Sequence, residues 1–240
     1  MEERNGDFFM NGIPWDAPGC LHEIGDLKAK IREIGFLPLF ENGLKGFSVE
    51  EMTSPDVWFS DDAAHDPWSW RAVIAREHEF AYGKFFGNRA GFISPEWLPY
   101  FANFRRDGYD FDALWDDEKA SRRQKLIMDI FTEETEIFSY EIRQRAGFGK
   151  DGEKNYEGTV TALQMELYLC VTDFRRKKNK RGQEYGWEVG VLAMPEHIFG
   201  KALVTQAYRE EPADSFRRVL ARLREVFPEA EEKLLINILK

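Results

Sequence analysis

A run of basic residues lies between two segments of β-strand character in the C-terminal half of the chain. Six of the seven residues from 175 to 181 are basic, namely Arg175, Arg176, Lys177, Lys178, Lys180 and Arg181. The flanking segments, 169–174 and 184–192, are rich in β-branched and aromatic residues, which predicts a hairpin with a basic tip. Clustered positive charges repel one another, so they favour an anionic partner. The same tip can instead serve solubility or protect the strand edges, and both interpretations remain open.

Three helical segments precede this hairpin. The first, around 122–131, places apolar residues at helical spacing, which indicates one buried face. The second is short, with Ser139 as the expected N-cap and an end near Gly147. The third begins after Asn155 as its cap. Its expected buried stripe consists of Tyr156, Val160, Leu163 and Leu167.

This order of helices and hairpin predicts a winged-helix unit, in which the third helix is the recognition helix. The loop before that helix, 148–154, is longer than the three or four residues typical of a helix-turn-helix, so it is read as an insertion. Polar side chains opposite the buried stripe would meet base edges. The predicted nucleic-acid-binding residues are Thr161, Gln164 and Tyr168 on the third helix, with Arg175, Arg176, Lys177, Lys178, Lys180 and Arg181 on the hairpin.

The first half of the chain mixes helices and strands, which predicts an α+β fold overall. A helix over 26–34 is expected to end at Gly35, and Asp66-Pro67 has the N-cap and N1 pattern of a helix start. Residues 79–86 and 92–93 are expected to form paired strands. We therefore predict an N-terminal α+β half (1–118), a winged-helix unit (119–195) and C-terminal helices that pack on the body (196–240).

No Gly-, Ser- or Pro-rich linker separates the first two of these regions, which predicts one cooperative body. Large aromatic residues on either side of the boundary are expected to fill the junction. They are Trp97, Phe101, Phe104 and Trp115.

The distribution of charge limits where an anionic partner can bind. The 240 residues carry a net charge of −10. Residues 1–120 hold 23 acidic and 12 basic side chains, a net charge of −11, whereas residues 121–240 hold 20 acidic and 21 basic ones, a net charge of +1. Only the second half can face a phosphate backbone without an adverse field.

Cysteine content and hydropathy suggest the compartment. Cys20 and Cys170 lack CxxC spacing, and no apolar run approaches 18 residues. A reduced, cytoplasmic environment without membrane insertion is expected.

Several segments carry a resemblance to a known family: 81–86, 91–94, 97–106 and Tyr185-Gly186-Trp187. From about Asp26 to Gly200 the chain resembles a group of bacterial proteins called AlkZ-related, and more distantly the AlkZ and YcaQ DNA glycosylases. That resemblance implies tandem winged helices that remove alkylated or crosslinked bases through a Gln-x-Gln or Gln-x-Asp motif. The nearest counterpart here, Leu37-Pro38-Leu39, has neither the glutamine nor the carboxylate.

Hydrolysis of an N-glycosidic bond needs a polar group that positions and activates water, and these apolar residues cannot do so. We therefore expect the chain to bind nucleic acid, with double-stranded DNA as the candidate partner, and to lack conventional glycosylase activity. Two alternatives remain open. One is a glycosylase-like enzyme with an aromatic pocket; the other is a protein-interaction module on a winged-helix scaffold.

Other candidate sites have simpler explanations. The segment 61–66 combines aspartates with His65, but Asp66 is explained as a helix cap and the rest suit a solvated loop. No histidine pair has the i, i+4 spacing of metal ligands, and no Gly-rich phosphate loop is present. We therefore predict no metal and no cofactor. An aromatic set suits either a core or a pocket for an everted base: Trp58, Trp68, Trp70, Tyr82, Trp97 and Tyr100.

Overall fold

The computed structural model of the chain describes residues 2–4, 7–179 and 181–240. The fold is α+β, with a small hairpin, a six-stranded sheet and helices packed around that sheet. The strands are β1 (Glu2–Arg4), β2 (Asp7–Phe9), β3 (Phe36–Pro38), β4 (Ala81–Phe86), β5 (Arg89–Ile93), β6 (Glu136–Phe138), β7 (Cys170–Lys178) and β8 (Glu184–Ala193).

The helices come mainly between the strands of the large sheet and after them. They are α1 (Ile24–Ile34), α2 (Pro67–Glu77), α3 (Leu98–Arg106), α4 (Phe111–Asp116), α5 (Arg122–Met128), α6 (Ser139–Arg145), α7 (Tyr156–Met165), α8 (Pro195–Phe199), α9 (Lys201–Val204), α10 (Pro212–Val226) and α11 (Glu232–Leu239). Short 3-10 turns lie at Glu50–Met52, Pro55–Val57, Asp129–Thr132 and Gln206–Arg209. Within the described residues, none of the helices has both the length and the apolar character that crossing a bilayer requires.

The large sheet joins the two halves of the chain. Its strand order is β3-β5-β4-β7-β8-β6, and every neighbouring pair is antiparallel. β7 and β8 pair along a long hairpin, whereas β4 and β7 are in register only at Tyr82 and Val171. The N-terminal strands and the C-terminal hairpin therefore meet at one short seam in the middle of the sheet.

Local sequence signals account for several element ends. Asp66 caps α2 as predicted, with its side chain accepting hydrogen bonds from Trp68 N at 3.0 Å and Ser69 N at 3.1 Å. Gly35 ends α1 in the left-handed region at φ 103°, and a Cβ atom there would lie 2.3 Å from the Trp97 ring. Both predicted boundaries are confirmed.

The predicted N-cap role of Ser139 is wrong. α6 begins at Ser139 itself, after Phe138 in the N-cap position, and no side chain caps the helix. The Ser139 hydroxyl instead lies 3.1 Å from the Tyr156 hydroxyl. The Ser139 hydroxyl, which the local sequence assigns to the helix cap, therefore contacts the first residue of α7 instead.

Two hydrophobic clusters form the core. The larger combines α1, β3, β4, β5 and α3 with buried residues of α10 and α11, and the smaller lies around α5, α6 and α7. Phe101 is fully buried in the larger cluster, with its ring centroid 4.9 Å from that of Phe36. Trp115, which was expected at the junction, is 36% exposed, so that expectation is wrong for this residue.

Two adjacent arginines at the end of α3 connect separate parts of the fold. Arg105 donates hydrogen bonds to the carbonyls of Phe85 at 2.5 Å, Met165 at 3.0 Å and Leu239 at 3.1 Å. Arg106 is buried and forms an ion pair with Glu196. These bonds tie α3 to β4, to the end of α7 and to the C-terminal helices.

Replacement of Phe101 by alanine should destabilise the whole chain by about 3–5 kcal/mol, because it leaves a cavity in the larger cluster. The thermal unfolding of the parent should be a single transition, and this substitution should shift all of it. Trp115→Ala is the matched control, and its shift should be clearly smaller because the indole is partly solvated already. Two separate transitions, of which Phe101→Ala moved only one, would instead indicate independent domains.

Glu166 follows the last residue of α7 and is partly buried, with Gln124 Nε2 of α5 donating to its carboxylate at 2.8 Å. Burial raises the pKa of Glu166 to about 7, and the single hydrogen bond from Gln124 only partly offsets this effect. Below the ordinary pKa of a glutamate, such a carboxyl group is protonated in both the folded and the unfolded state, so its raised pKa does not change the free energy of unfolding. As the pH rises from there towards 7, the unfolded state loses this proton more readily than the folded state, and the raised pKa increasingly destabilises the fold.

Glu166→Gln should therefore stabilise the protein at pH 8 by about 1–2 kcal/mol, allowing for solvent near the group, and should have little effect near pH 4.5. Urea unfolding at both pH values measures the difference. Glu157→Gln, on the exposed first turn of the same helix, controls for the loss of one negative charge. An equal effect of Glu166→Gln at both pH values would contradict a raised pKa for Glu166.

Candidate nucleic-acid interface

The predicted basic hairpin is confirmed, but its strands extend further than expected. β7 continues to Lys178, so the residues from Arg175 to Lys178 lie in a strand, and β8 begins at Glu184. The basic side chains are therefore spread along a strand and its turn. This arrangement gives them a longer reach than a compact loop would.

Asn179 holds the turn in place. Its Oδ1 accepts hydrogen bonds from Arg181 N at 2.9 Å and from Gln183 N at 3.1 Å. An asparagine side chain that binds nearby backbone amides in this way stabilises a turn locally. Lys180, one of the predicted contact residues, lies outside the described residues.

Arg175 has a structural role at the base of the hairpin. Its Nε lies 2.5 Å from Asp173 and its Nη2 lies 3.2 Å from Glu136. Burial alone would raise the pKa of Asp173, but hydrogen bonds from Arg175, the Phe174 amide and Arg76 outweigh burial and lower it. Arg175 is therefore occupied by carboxylates of its own chain, unlike the cations nearer the tip.

The remaining cations of the hairpin are available to an external partner. Arg176, Lys178 and Arg181 are exposed, and none of them has an ion pair with any residue that the structure describes. The Lys177 ammonium lies 4.5 Å from the centre of the Tyr140 ring. Three of the predicted contact residues thus form a solvated positive edge.

A β-bulge beside these cations exposes two aromatic side chains. The register of β8 shifts between its pairs with Arg176 and Lys177, and Gly186 adopts a left-handed conformation at φ 72°. Trp187 next to this glycine is 92% exposed, and Tyr185 is 53% exposed. Bulges commonly redirect side chains, and here the result is an indole in solvent next to a positive strand.

The polar face predicted for the third helix is not open. Gln164 is buried, and its Oε1 accepts a hydrogen bond from Lys84 N at 3.0 Å. Thr161 is partly buried, with its hydroxyl 3.3 Å from the Lys84 ammonium. Tyr168 is also buried and donates to the Tyr109 carbonyl at 3.1 Å. The expectation that Gln164 and Tyr168 lie on an exposed surface is therefore wrong. Gln164 is buried because its face of α7 packs against β4, and Tyr168 follows the end of α7 and packs in the smaller cluster.

The part of α7 that does reach solvent is poorly suited to phosphate. Its exposed first turn carries Glu157, whose negative charge repels a nucleic-acid backbone. The positive edge and the α7 helix therefore do not form one continuous basic surface.

A cavity of about 670 Å³ lies between α2, α7 and the sheet. Its apolar walls include Phe40, Trp68, Val160 and Leu192, and its polar groups include Arg71, Lys84, Gln164, Glu157 and Glu188. Gly83 also lines it, where a Cβ atom would lie 2.7 Å from the Phe85 ring and 3.2 Å from Gln164 Oε1. This volume is in the range of small-molecule sites.

Arg71 is the most unusual group in the cavity. It is 5% exposed, and its guanidinium carbon lies 3.5 Å from the centre of the Trp68 ring and 3.9 Å from that of Phe174. Its Nε and Nη1 atoms have no hydrogen-bond partner among the described residues. Burial lowers the pKa of Arg71, although Tyr82, Glu188 and Asp66 oppose this effect.

Tyr82 provides a neutral polar group beside Arg71. Burial raises the pKa of its hydroxyl to about 12, and the Arg71 charge only partly offsets this effect. The hydroxyl therefore stays protonated at neutral pH.

The predicted aromatic set is divided between the cavity and the core. Trp68 and Tyr82 line the cavity, whereas Trp58 and Trp70 are buried in the larger cluster and Trp97 and Tyr100 pack against it. Arg71 itself was missed by the sequence interpretation. A signal was present, because Pro67, Trp70, Arg71 and Ile74 share one side of α2, which places a charge among buried positions.

The acidic segment 61–66 is a loop held by its own side chains. His65 Nδ1 lies 2.7 Å from Asp62, and Asp66 is engaged as the cap of α2. Across the part of the chain that the structure describes, no group of three or more His, Cys, Asp or Glu side chains is arranged to hold a metal ion.

Comparison with known proteins places the chain in a family. A family model described as AlkZ related matches residues 21–240. Searches of curated proteins and of solved structures found no match to the chain.

Proposed function

The chain belongs to the AlkZ-related family, and we propose that it binds double-stranded DNA through the phosphate backbone, using the basic hairpin of β7 and β8. The observation that carries this proposal is the positive edge of Arg176, Lys178 and Arg181, which are exposed and form no ion pair among the described residues. Glu188 and Glu184 lie opposite Arg176 and Lys178 in the strand register, but neither is ion-paired with them. Phosphate contacts of this kind supply much of the affinity of proteins for DNA.

The order of the elements supports a winged-helix unit as the scaffold. α5, β6, α6, α7, β7 and β8 follow one another along the chain, and β8 pairs with both β6 and β7. In this arrangement the β7–β8 hairpin is the wing. The 10-residue length of β8 and the bulge at Gly186 give this wing its reach and its exposed indole.

The proposed binding mode is led by the wing, because the α7 helix has little free polar surface. Gln164 and Tyr168 are committed to contacts inside the protein, so base reading by a helix in the major groove is not the mode that we propose. A wing-led mode also keeps DNA on the half of the chain without net negative charge.

The burial of residues 36–39 supports the proposal that the chain does not act as a conventional glycosylase. Phe36, Leu37 and Leu39 are fully buried. This stretch, which is the nearest counterpart of the glycosylase motif, therefore presents no side chain that can activate water at a sugar.

Arg176→Ala combined with Lys178→Ala should weaken the binding of duplex DNA and lower the salt slope of the binding constant by about two units, roughly one for each lost phosphate contact. Titrations of labelled duplex at several salt concentrations measure both quantities. The matched control is Arg209→Ala with Lys233→Ala, which removes the same charge from exposed positions in the C-terminal helices.

Equal affinity and slope for the parent and the hairpin variant would remove the hairpin from the proposed interface. A second candidate function would then be favoured by the 92% exposure of Trp187. A large exposed indole is typical of protein contacts, so the hairpin would be a surface for a protein partner instead.

Alkylated DNA incubated with the purified protein should accumulate no abasic sites above background. The physical reason is the apolar, buried character of 37–39. Abasic sites that appeared with the parent and disappeared with Arg71→Met would overturn this prediction and support the enzyme alternative.

A further inference from the structure

The cavity behind the hairpin contains a buried positive charge that its own chain does not neutralise. No carboxylate among the described residues forms an ion pair with Arg71. Glu188 and Asp66 act on Arg71 only through space, and both Asp66 oxygens are already hydrogen-bonded to the amides of Phe59, Trp68 and Ser69. The Tyr82 hydroxyl beside Arg71 is a neutral partner, and a buried charge without a countercharge is costly, so this arrangement favours an anion supplied from outside.

The stacking of Arg71 determines how an anion can approach it. The Trp68 ring covers one side of the guanidinium and Phe174 contacts it closely as well, so an incoming group meets its edge. Nε and Nη1 are the atoms without partners there. Carboxylate, sulfonate and phosphate oxygens bind arginine in the plane of the guanidinium, which is the geometry available here.

The apolar part of the cavity lining suits a flat, hydrophobic group. Phe40, Val160, Val171 and Leu192 line its walls, and its volume of about 670 Å³ exceeds what a simple inorganic ion needs. A ligand that satisfies both parts has an acidic group attached to an aromatic ring.

We propose that this cavity is a binding site for a small aromatic anion, with Arg71 neutralising the acidic group and the apolar walls holding the ring. The proposal does not depend on DNA binding by the hairpin, because Arg176 and Lys178 do not line the cavity. The anion can come from a free aromatic acid or from a nucleotide, and the two sources share the chemistry that Arg71 recognises.

Two fluorescent probes test the site, since 1-anilinonaphthalene-8-sulfonate and N-phenyl-1-naphthylamine differ only in the sulfonate. Arg71→Met should bind the sulfonate probe roughly 10- to 100-fold more weakly than the parent and should bind the neutral probe about equally well. Methionine keeps an apolar side chain between the two rings. Circular dichroism and the thermal transition verify that the variant is folded.

Gly190→Leu provides a second variant that leaves Arg71 in place. Gly190 lines the cavity, and a Cβ atom there would have only ordinary contacts at 3.9 Å, so the added side chain extends into the cavity without backbone strain. Binding of both probes should fall in this variant. The Gly190→Leu variant therefore tests the location of the site even if Arg71→Met does not fold, and unchanged binding of both probes would contradict the proposal.

Competition in the parent protein distinguishes the ligand sources. 2-Naphthoate should displace the sulfonate probe, and its neutral isostere 2-naphthamide should not. Displacement by 5′-dAMP as well would assign the site to a nucleotide, whereas displacement by 2-naphthoate alone would assign it to a free aromatic acid. Unchanged binding of the sulfonate probe by Arg71→Met, or equal competition by the amide and the acid, would overturn the proposal.

Discussion

The contacts of two adjacent arginines at the end of α3, the half-buried Arg105 and the buried Arg106, are the interactions on which the assembly of this fold depends. Burial alone would lower the pKa of Arg106, but Glu196 and the Tyr208 hydroxyl outweigh burial and raise it, so the charge is retained in the core. Arg106 also donates to the Leu167 carbonyl and lies 4.6 Å from the Tyr168 ring. Removing either Arg106 or Glu196 from their ion pair leaves the other charge buried and uncompensated, which typically costs about 3–5 kcal/mol.

Arg105 differs from its neighbour because only carbonyl oxygens accept its hydrogen bonds. Burial lowers its pKa to about 9, so it is still positively charged at neutral pH. Two of its acceptors, Met165 and Leu239, lie at the C-terminal ends of α7 and α11, where the helix dipole favours a positive charge. Arg106 thus pairs with a carboxylate and Arg105 with backbone carbonyls, and together the two arginines connect both hydrophobic clusters.

The sequence predicts the local parts of this structure well and the packing of α7 poorly. The Asp66 cap, the Gly35 helix end and the β7–β8 hairpin depend on residues close together in the chain, so their patterns were sufficient. Gln164 is polar, and periodicity alone places it on a solvated face. Its burial depends on Lys84, 80 residues away, and no local pattern reports such a contact.

The basic hairpin could be predicted from the sequence, whereas the cavity around Arg71 could not. Composition revealed the basic hairpin, since six cations in seven residues are visible without any fold. Arg71 is one arginine in a helix, and its significance comes from Phe174, which reaches it from β7 about 100 positions later. Trp115 shows the converse, because a large aromatic residue at a predicted boundary lies at the surface instead of in the core.

The β7–β8 hairpin connects the two proposed sites. Its outer part carries the solvated cations, while Phe174 and Glu188 near its base line both the cavity and a depression of about 680 Å³ beside the basic strand. A group bound in the cavity would therefore contact the same two strands that present the cations. The base of the hairpin is held by the ion pairs of Arg175 with Asp173 and Glu136, while Arg176, Lys178 and Arg181 further out are exposed, an arrangement that suits a surface for a partner.

The short seam between β4 and β7 has a consequence for how the backbone donors of the sheet are satisfied. These strands are in register at Tyr82 and Val171 only, and Lys84 is paired with neither β5 nor β7. Without another acceptor, the backbone amide of Lys84 would be an unpaired donor inside the sheet, and a buried donor without an acceptor is costly. Gln164 supplies the missing acceptor from α7. One side-chain amide thus takes the place of a missing strand partner where the two halves of the sheet meet.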